Sequence, residues 1–108
     1  MPVTFIPLDS IDKLDGLFAQ SDHAPVIIFK HSSTCGVSSM VYRQMTELDA
    51  DVNILVVQSA RDLSNEIVAR TGIRHESPQV IILKNGEPIY QASHYSISPG
   101  AIEAEIKG

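Results

Sequence analysis

The clearest chemistry in this 108-residue sequence belongs to its single cysteine, Cys35. A polar stretch, His31-Ser32-Ser33-Thr34, precedes it, and Gly36-Val37-Ser38-Ser39 follows. One thiol excludes both an intrachain disulfide and a cysteine-rich zinc site. If a helix begins at Cys35, the unpaired backbone N–H groups near Gly36 and Val37 favour the nucleophilic thiolate. The pattern predicts a reactive thiol, and the plain alternative is a buried cysteine that packs as a small hydrophobe.

Two hydroxyl-bearing neighbours of Cys35 each have two interpretations. Thr34 is placed to cap the predicted helix, although Ser33 is an alternative cap. Ser38 occupies the position at which dithiol oxidoreductases carry a second cysteine. Its hydroxyl either donates a hydrogen bond to the Cys35 thiolate or belongs to an ordinary first-turn serine. Without a second cysteine, exchange at Cys35 must stop at a mixed disulfide that an external thiol releases.

Three of the histidines are candidates for a secondary role around the thiol. His31 lies four residues before Cys35, which is too far to predict a Cys/His dyad from spacing alone. His75 and His94 are more often structural histidines with hydrogen-bonded rings than direct participants. The histidines are scattered without a ligand-spacing pattern, so the sequence predicts no metal site.

Strand and helix patterns alternate along the chain. The predicted strands are Val3–Ile6, Val26–Lys30, Asn53–Gln58, Val80–Leu83 and Pro88–Gln91. The predicted helices begin after Asp9-Ser10, span roughly 35–49, span Leu63–Thr71 before Gly72, and begin at Ser98-Pro99.

The order of these elements indicates an α/β fold. Strands that alternate with helices predict parallel pairs, and Asn85-Gly86 predicts one antiparallel hairpin at the end. The expected architecture is a central mixed sheet flanked by helices on both faces, the thioredoxin-like arrangement, although order alone leaves other small α/β folds open. Pro78, after Ser77, is interpreted from composition as a proline at the entry of a buried strand.

Composition narrows the class further. With 44% hydrophobic and 19% charged residues, we expect one folded domain over residues 1–108. A formal net charge of −5 argues against nucleic-acid binding through phosphates. The longest strictly apolar runs are four residues, so no membrane span is expected. A single thiol without a visible export signal predicts a cytoplasmic protein.

Several motifs together resemble the monothiol bacilliredoxin family. They are His31-Ser32-Ser33-Thr34-Cys35-Gly36-Val37-Ser38, Leu63-Ser64-Asn65, His75-Glu76-Ser77-Pro78-Gln79, Asn85-Gly86 and Ser93-His94. The resemblance implies a thioredoxin-like enzyme that removes bacillithiol, a low-molecular-weight thiol, from protein mixed disulfides. It also implies that Cys35 attacks, that Pro78 is a cis-proline opposite it, and that Ser77 offers backbone groups to the substrate.

The expected partners are thiolated client proteins, a low-molecular-weight thiol as co-substrate and a partner reductase, with no bound cofactor. Gly36 departs from the proline that is common after the cysteine in the family. It makes Cys-Gly-Val-Ser similar to the loop of monothiol glutaredoxins, which carry iron–sulfur clusters, although their Gly-Gly-x-Asp element is absent after the predicted hairpin, where the chain has Ala92-Ser93-His94-Tyr95. A cluster carrier and a redox-inert thioredoxin-like adaptor therefore remain as alternatives.

Overall fold

A five-stranded mixed sheet with helices on both faces organises the chain. The computed structural model describes residues 3–108. In chain order, the elements are β1 (Thr4–Pro7), α1 (Ile11–Gln20), β2 (Val26–His31), α2 (Gly36–Met45), β3 (Asp51–Val56), α3 (Arg61–Thr71), β4 (Gln79–Lys84), β5 (Glu87–Ser93) and α4 (Pro99–Lys107). Two 3-10 turns, Val57–Ser59 and His94–Ser96, follow β3 and β5.

The strand order in the sheet is β1-β3-β2-β4-β5. The β1–β3 and β2–β3 pairs are parallel, whereas β2–β4 and β4–β5 are antiparallel. The prediction of a single antiparallel pair was therefore wrong. Since residues 72–78 carry the chain from α3 to the carboxyl end of β2, β4 starts there and runs back along β2. Two polar connections consequently meet at the carboxyl end of β2.

Side chains of β2 alternate between two hydrophobic clusters, one on each face of the sheet. Ile27 and Phe29 join the cluster that contains residues of α2 and α4. Val26 and Ile28 join the cluster that contains residues of α1 and α3. All four side chains are buried, so β2 is fixed from both sides at the centre of the molecule. Within residues 3–108, no helix combines the length and the hydropathy that a membrane span requires.

Several local signals in the sequence are confirmed. Ser10 caps α1 by accepting from the Lys13 N–H, and Ser98 caps α4 by accepting from the Ala101 N–H. Gly72 ends α3 in the left-handed conformation at φ 72°. Asn85 and Gly86 both have positive φ, 54° and 75°, as a two-residue type I′ hairpin turn requires.

Several predicted boundaries were wrong by one or more residues, and three of them show why. Strand β1 is Thr4–Pro7, one residue later than expected. Strand β3 gives way to a 3-10 turn at Val57 instead of continuing to Gln58. Helix α2 ends at Met45 rather than near 49, because the Thr46 hydroxyl and N–H both donate to the Arg43 carbonyl and tighten the last turn.

Candidate active site

Cys35 lies at the junction between the loop after β2 and helix α2. It is the N-cap residue, with extended backbone angles (φ −97°, ψ 124°), and its side chain is partly exposed. The Cys35 carbonyl accepts from the Ser39 N–H at 3.1 Å, which is the first i to i−4 bond of the helix. The N–H groups of Gly36 and Val37 therefore precede the helical ladder, and the Cys35 side chain makes no capping bond to the first turn. These two N–H groups therefore remain free of the helical ladder at the end of α2 that carries the thiol.

The first two residues of α2 have different surroundings. Gly36 is exposed, and nothing lies within 4 Å of the space that a Cβ would fill. A proline would fit at this first helical position, where its missing N–H costs no ladder bond. Val37 is half-buried and packs against the cluster under α2. Gly36 is therefore not required by close packing.

Gln58 holds the loop that leads into Cys35. Its amide Nε2 donates to Ser32 Oγ at 2.7 Å and to Thr34 Oγ1 at 3.1 Å, and its Oε1 accepts from the Ser33 N–H at 3.2 Å. The expectation that Thr34 caps α2 was wrong, because Cys35 is itself the N-cap and the Thr34 hydroxyl faces Gln58. Sequence reasoning missed Gln58, which it placed at the end of a strand.

The hydroxyl of Ser38 is buried between the loop and the end of β2. Ser38 Oγ accepts from the Ser32 N–H at 2.9 Å and lies 2.8 Å from His31 Nδ1. The His31 ring is tilted against the ring of Tyr42, with 5.3 Å between centroids. Burial lowers the pKa of His31, which favours the neutral ring near pH 7. The structure thus gives Ser38 partners other than Cys35, and His31 is brought to the site through Ser38.

Pro78 follows a cis peptide bond after Ser77, as the family resemblance implied. Gln79 pairs with Lys30 in the β2–β4 ladder. Pro78 therefore lies beside the carboxyl end of β2, the end from which the chain departs toward Cys35. The cis-proline and the thiol share this edge of the sheet.

His94 reaches the same edge from the end of β5. Its backbone N–H donates to the Pro78 carbonyl at 3.0 Å, and its Nε2 lies 2.9 Å from Glu76 Oε2. The hydrogen bond to His94 lowers the pKa of Glu76. His94 is therefore tied to the loop that carries Pro78 by both its backbone and its side chain.

His75 lies on the other face of the sheet, beside a buried lysine. The Lys30 ammonium donates to the Ser64 carbonyl at 3.4 Å and to His75 Nδ1 at 3.2 Å. Burial lowers the pKa of Lys30 to about 8. Burial, and then the charge of Lys30, lowers the pKa of His75. Sequence reasoning placed Lys30 at the end of a strand and assigned it no partner, although a lysine closing an apolar run was the available signal.

Across residues 3–108, no group of three or more His, Cys, Asp or Glu side chains is arranged to hold a metal ion. The carboxyl edge of β2 brings together one thiol, backbone N–H groups, hydroxyls and the imidazoles of His31 and His94.

Solved structures with this arrangement have the thioredoxin fold. An oxidoreductase with a thioredoxin fold is 33% identical, with a TM-score of 0.86 over 97% of this chain and 95% of its own. Thioredoxin from Nicotiana alata is 18% identical, with a TM-score of 0.74 over 99% of this chain and 93% of its own. Mitochondrial thioredoxin 3 from Saccharomyces cerevisiae is 21% identical, with a TM-score of 0.72 over 95% and 93%. The fold and the thiol at the start of α2 define a thioredoxin-fold thiol oxidoreductase.

The family model described as monothiol bacilliredoxin BrxC matches residues 6–102. The chain belongs to the monothiol bacilliredoxin family. The match includes the whole carboxyl edge described above, from His31 to His94. The expected family and the α/β thioredoxin-like fold are both confirmed.

Proposed function

We propose that this protein removes bacillithiol, or a similar low-molecular-weight thiol, from mixed disulfides on client proteins. The observation that carries the proposal is a partly exposed single thiol at the N-cap of α2. Ser38 stands three residues later, where a second cysteine would be needed for an internal disulfide. Membership of the monothiol bacilliredoxin family supports the same chemistry. The proposed setting is the cytoplasm, where thiols are kept reduced.

In the first step, the Cys35 thiolate attacks the small-thiol sulfur of the client's mixed disulfide. A bond forms between Cys35 Sγ and that sulfur, and the original S–S bond breaks. The client cysteine leaves as a thiolate and takes a proton from water. The N–H groups near Gly36 and Val37 stabilise negative charge on Cys35 as it approaches.

In the second step, a free thiol or a partner reductase releases Cys35. A second small-thiol thiolate attacks the small-thiol sulfur of the Cys35 adduct, and Cys35 leaves as a thiolate. The products are the symmetrical disulfide of the small thiol and the starting enzyme. The transferred small-thiol sulfur stays at the disulfide level throughout, the second small thiol is oxidised to that level, and the client sulfur returns to the thiol level, so Cys35 ends each cycle unchanged.

The decisive experiment uses a test protein with one surface cysteine, loaded with bacillithiol or with glutathione. After mixing, intact mass shows whether either thiol moves onto Cys35. Transfer of bacillithiol alone establishes both the exchange and the preferred thiol. Transfer from neither substrate contradicts the proposal and leaves the cluster carrier and the adaptor to be tested.

Replacement of the nucleophile gives a matched prediction. We expect Cys35→Ser to abolish transfer without lowering the melting temperature, because serine is a favoured N-cap residue at this position. Intact mass measures transfer, and circular dichroism measures unfolding. Residual transfer in a folded Cys35→Ser protein would rule out Cys35 as the attacking group.

The cluster-carrier alternative is tested separately. If the protein is a cluster carrier, anaerobic reconstitution with iron and sulfide gives a coloured dimer of the original protein and none of Cys35→Ser. Rapid alkylation of Cys35 near neutral pH would count against a redox-inert adaptor, whose cysteine need not react quickly.

A further inference from the structure

Lys30 is a cation in the protein core without an acidic partner. Its side chain is fully buried, and its ammonium contacts a backbone carbonyl and an imidazole nitrogen. Within the described residues 3–108, no Asp or Glu forms an ion pair with it. An unpaired buried charge is costly, so an anion nearby would stabilise the charged form of Lys30.

A small cavity lies beside the two residues that contact this lysine. Its volume is about 110 Å³, and it is lined by Val57, Arg61, Ser64, Asn65 and His75. Two of these residues, Ser64 and His75, are the partners of the Lys30 ammonium.

The cavity wall is rich in hydrogen-bond donors. Because an ammonium group can only donate hydrogen bonds, His75 Nδ1 must accept the bond from Lys30. The neutral ring then carries its proton on Nε2. The guanidinium of Arg61 and the amide of Asn65 add further donors. Such a set suits a carboxylate, because an Arg fork and charge-assisted bonds are strongest toward carboxylate oxygens.

Two nearby acidic side chains form hydrogen bonds with residues outside the cavity. Glu76 bonds to His94 at 2.9 Å, and Glu66 bonds to Arg70 at 2.8 Å. Asp62 lines a second cavity, beside the start of α1, which Arg61 also borders. Within residues 3–108, no recorded ion pair joins Lys30 or Arg61 to any of these three side chains.

The cavity shares the edge of the sheet that carries the thiol. Val57 directly precedes Gln58, whose amide holds the loop before Cys35. His75 lies three residues before Pro78, on the connection that enters β4. For a molecule bound to Cys35 through its sulfur, the cavity would therefore lie next to it, across the loop that Gln58 holds.

We propose that this cavity binds a carboxylate of the low-molecular-weight thiol while its sulfur reacts at Cys35. Arg61 and His75 would contact the carboxylate oxygens, and Lys30 would act through His75 and Ser64 as a positioning charge. The inference rests on the proposed function, since it assigns a subsite for the same small thiol. Binding of the carboxylate would let the enzyme select among small thiols. The position of Cys35 alone does not provide that selection.

The test compares acids with esters. A test protein carries bacillithiol or glutathione on its cysteine, each as the free acid or as its carboxyl methyl ester. Single-turnover rates of adduct formation on Cys35 are followed by intact mass. We expect the original protein to accept the free acid about tenfold faster than the ester, the effect of one lost charge-assisted bond.

Matched variants show which side chains produce the preference for the free acid over the ester. Arg61→Gln and Lys30→Met should each remove most of the acid-over-ester ratio, whereas Arg74→Gln removes the same charge outside the cavity and should preserve it. Alkylation by neutral iodoacetamide should be equal in all four proteins. Arg61 is exposed, so Arg61→Gln decides the question if Lys30→Met does not fold.

The outcomes separate the subsite from the reaction. Equal rates for acid and ester, or an acid preference unchanged by Arg61→Gln, would overturn the subsite while leaving the exchange intact. A preference that follows acidic residues flanking the client cysteine would also overturn it, because the carboxylate would then belong to the client. No adduct from any of the substrates would overturn the proposed function and, with it, the subsite.

Discussion

At the residue scale, the buried hydroxyl of Ser38 joins three segments of the site. It accepts from the backbone of Ser32 in the loop, belongs to the first turn of α2, and contacts His31 at the end of β2. The fourth position of the Cys-Gly-Val-Ser motif is therefore a structural junction as well as the place of an absent second thiol. Its hydrogen bonds fix the geometry from which Cys35 projects.

We expect Ser38→Ala to lower the free energy of unfolding by about 1–3 kcal/mol, because it leaves the buried Ser32 N–H without its acceptor. Ser39→Ala is the control, since Ser39 is the adjacent half-buried serine, and its effect should remain within about 0.5 kcal/mol. Urea denaturation measures both variants. Equal losses in the two would mean that the Ser38 contacts do not stabilise the fold.

At the element scale, the loop between β2 and α2 has little regular structure and depends on Gln58. This residue comes from the 3-10 turn after β3 and contacts three consecutive loop residues, Ser32, Ser33 and Thr34. Through Gln58, the segment that follows β3, the parallel neighbour of β2, thereby orders the loop that leads to Cys35.

We expect Gln58→Ala to speed hydrogen exchange of the Ser33 amide about fivefold, because a bond worth about 1 kcal/mol is lost. Adduct formation on Cys35 should slow, while the melting temperature changes little. Gln20→Ala at the exposed end of α1 is the control and should leave exchange in the loop unchanged. Unaltered protection of Ser33 in Gln58→Ala would show that the loop is ordered without this side chain.

The caps and turns of these elements could be predicted, whereas the contacts between elements could not. Ser10, Ser98, Gly72 and the Asn85-Gly86 turn act on their own neighbours in sequence, so local residue chemistry identifies them. Gln58 lies 26 residues from its partner Ser32, and no local pattern encodes that distance. The motif around Cys35 indicated the candidate nucleophile but not the residue that orders its loop.

At the scale of the whole molecule, strand pairing was the least predictable feature. The alternation of strands and helices indicated parallel neighbours, yet β4 pairs antiparallel with β2. The direction of β4 depends on where residues 72–78 cross the sheet, which is a property of tertiary packing. Similarly, the pairing of Lys30 with Gln79 became visible only in the assembled sheet.

The buried charge of Lys30 gives the molecule a distinctive dependence on pH. Its pKa is lowered to about 8 in the folded protein from the ordinary value of 10.5. Between these two values the unfolded chain binds more protons than the folded protein, so stability rises with pH. Below about pH 8 the lysine is charged in both states, and the full penalty of burial applies.

We therefore expect Lys30→Met to be more stable than the original protein at pH 7, by about 2–3 kcal/mol. The difference should shrink as the pH rises from 8 toward 10.5. Denaturant titrations of both proteins at pH 7, 9 and 10 test this, since the tyrosines and other lysines titrate in both and cancel in the difference. A stability difference that does not change with pH would contradict a lowered pKa for Lys30.

The single cysteine also determines what controls the direction of the proposed exchange. A chain with one thiol has no internal dithiol–disulfide couple, so it has no redox potential of its own to impose on clients. The equilibrium then follows the ratio of free small thiol to its symmetrical disulfide in the surrounding pool. When that disulfide accumulates, the same two steps run backwards and load the small thiol onto client cysteines. Cys35 would therefore act as a reversible equilibrator between protein thiols and the cellular pool, protecting cysteines under oxidation and releasing them afterwards.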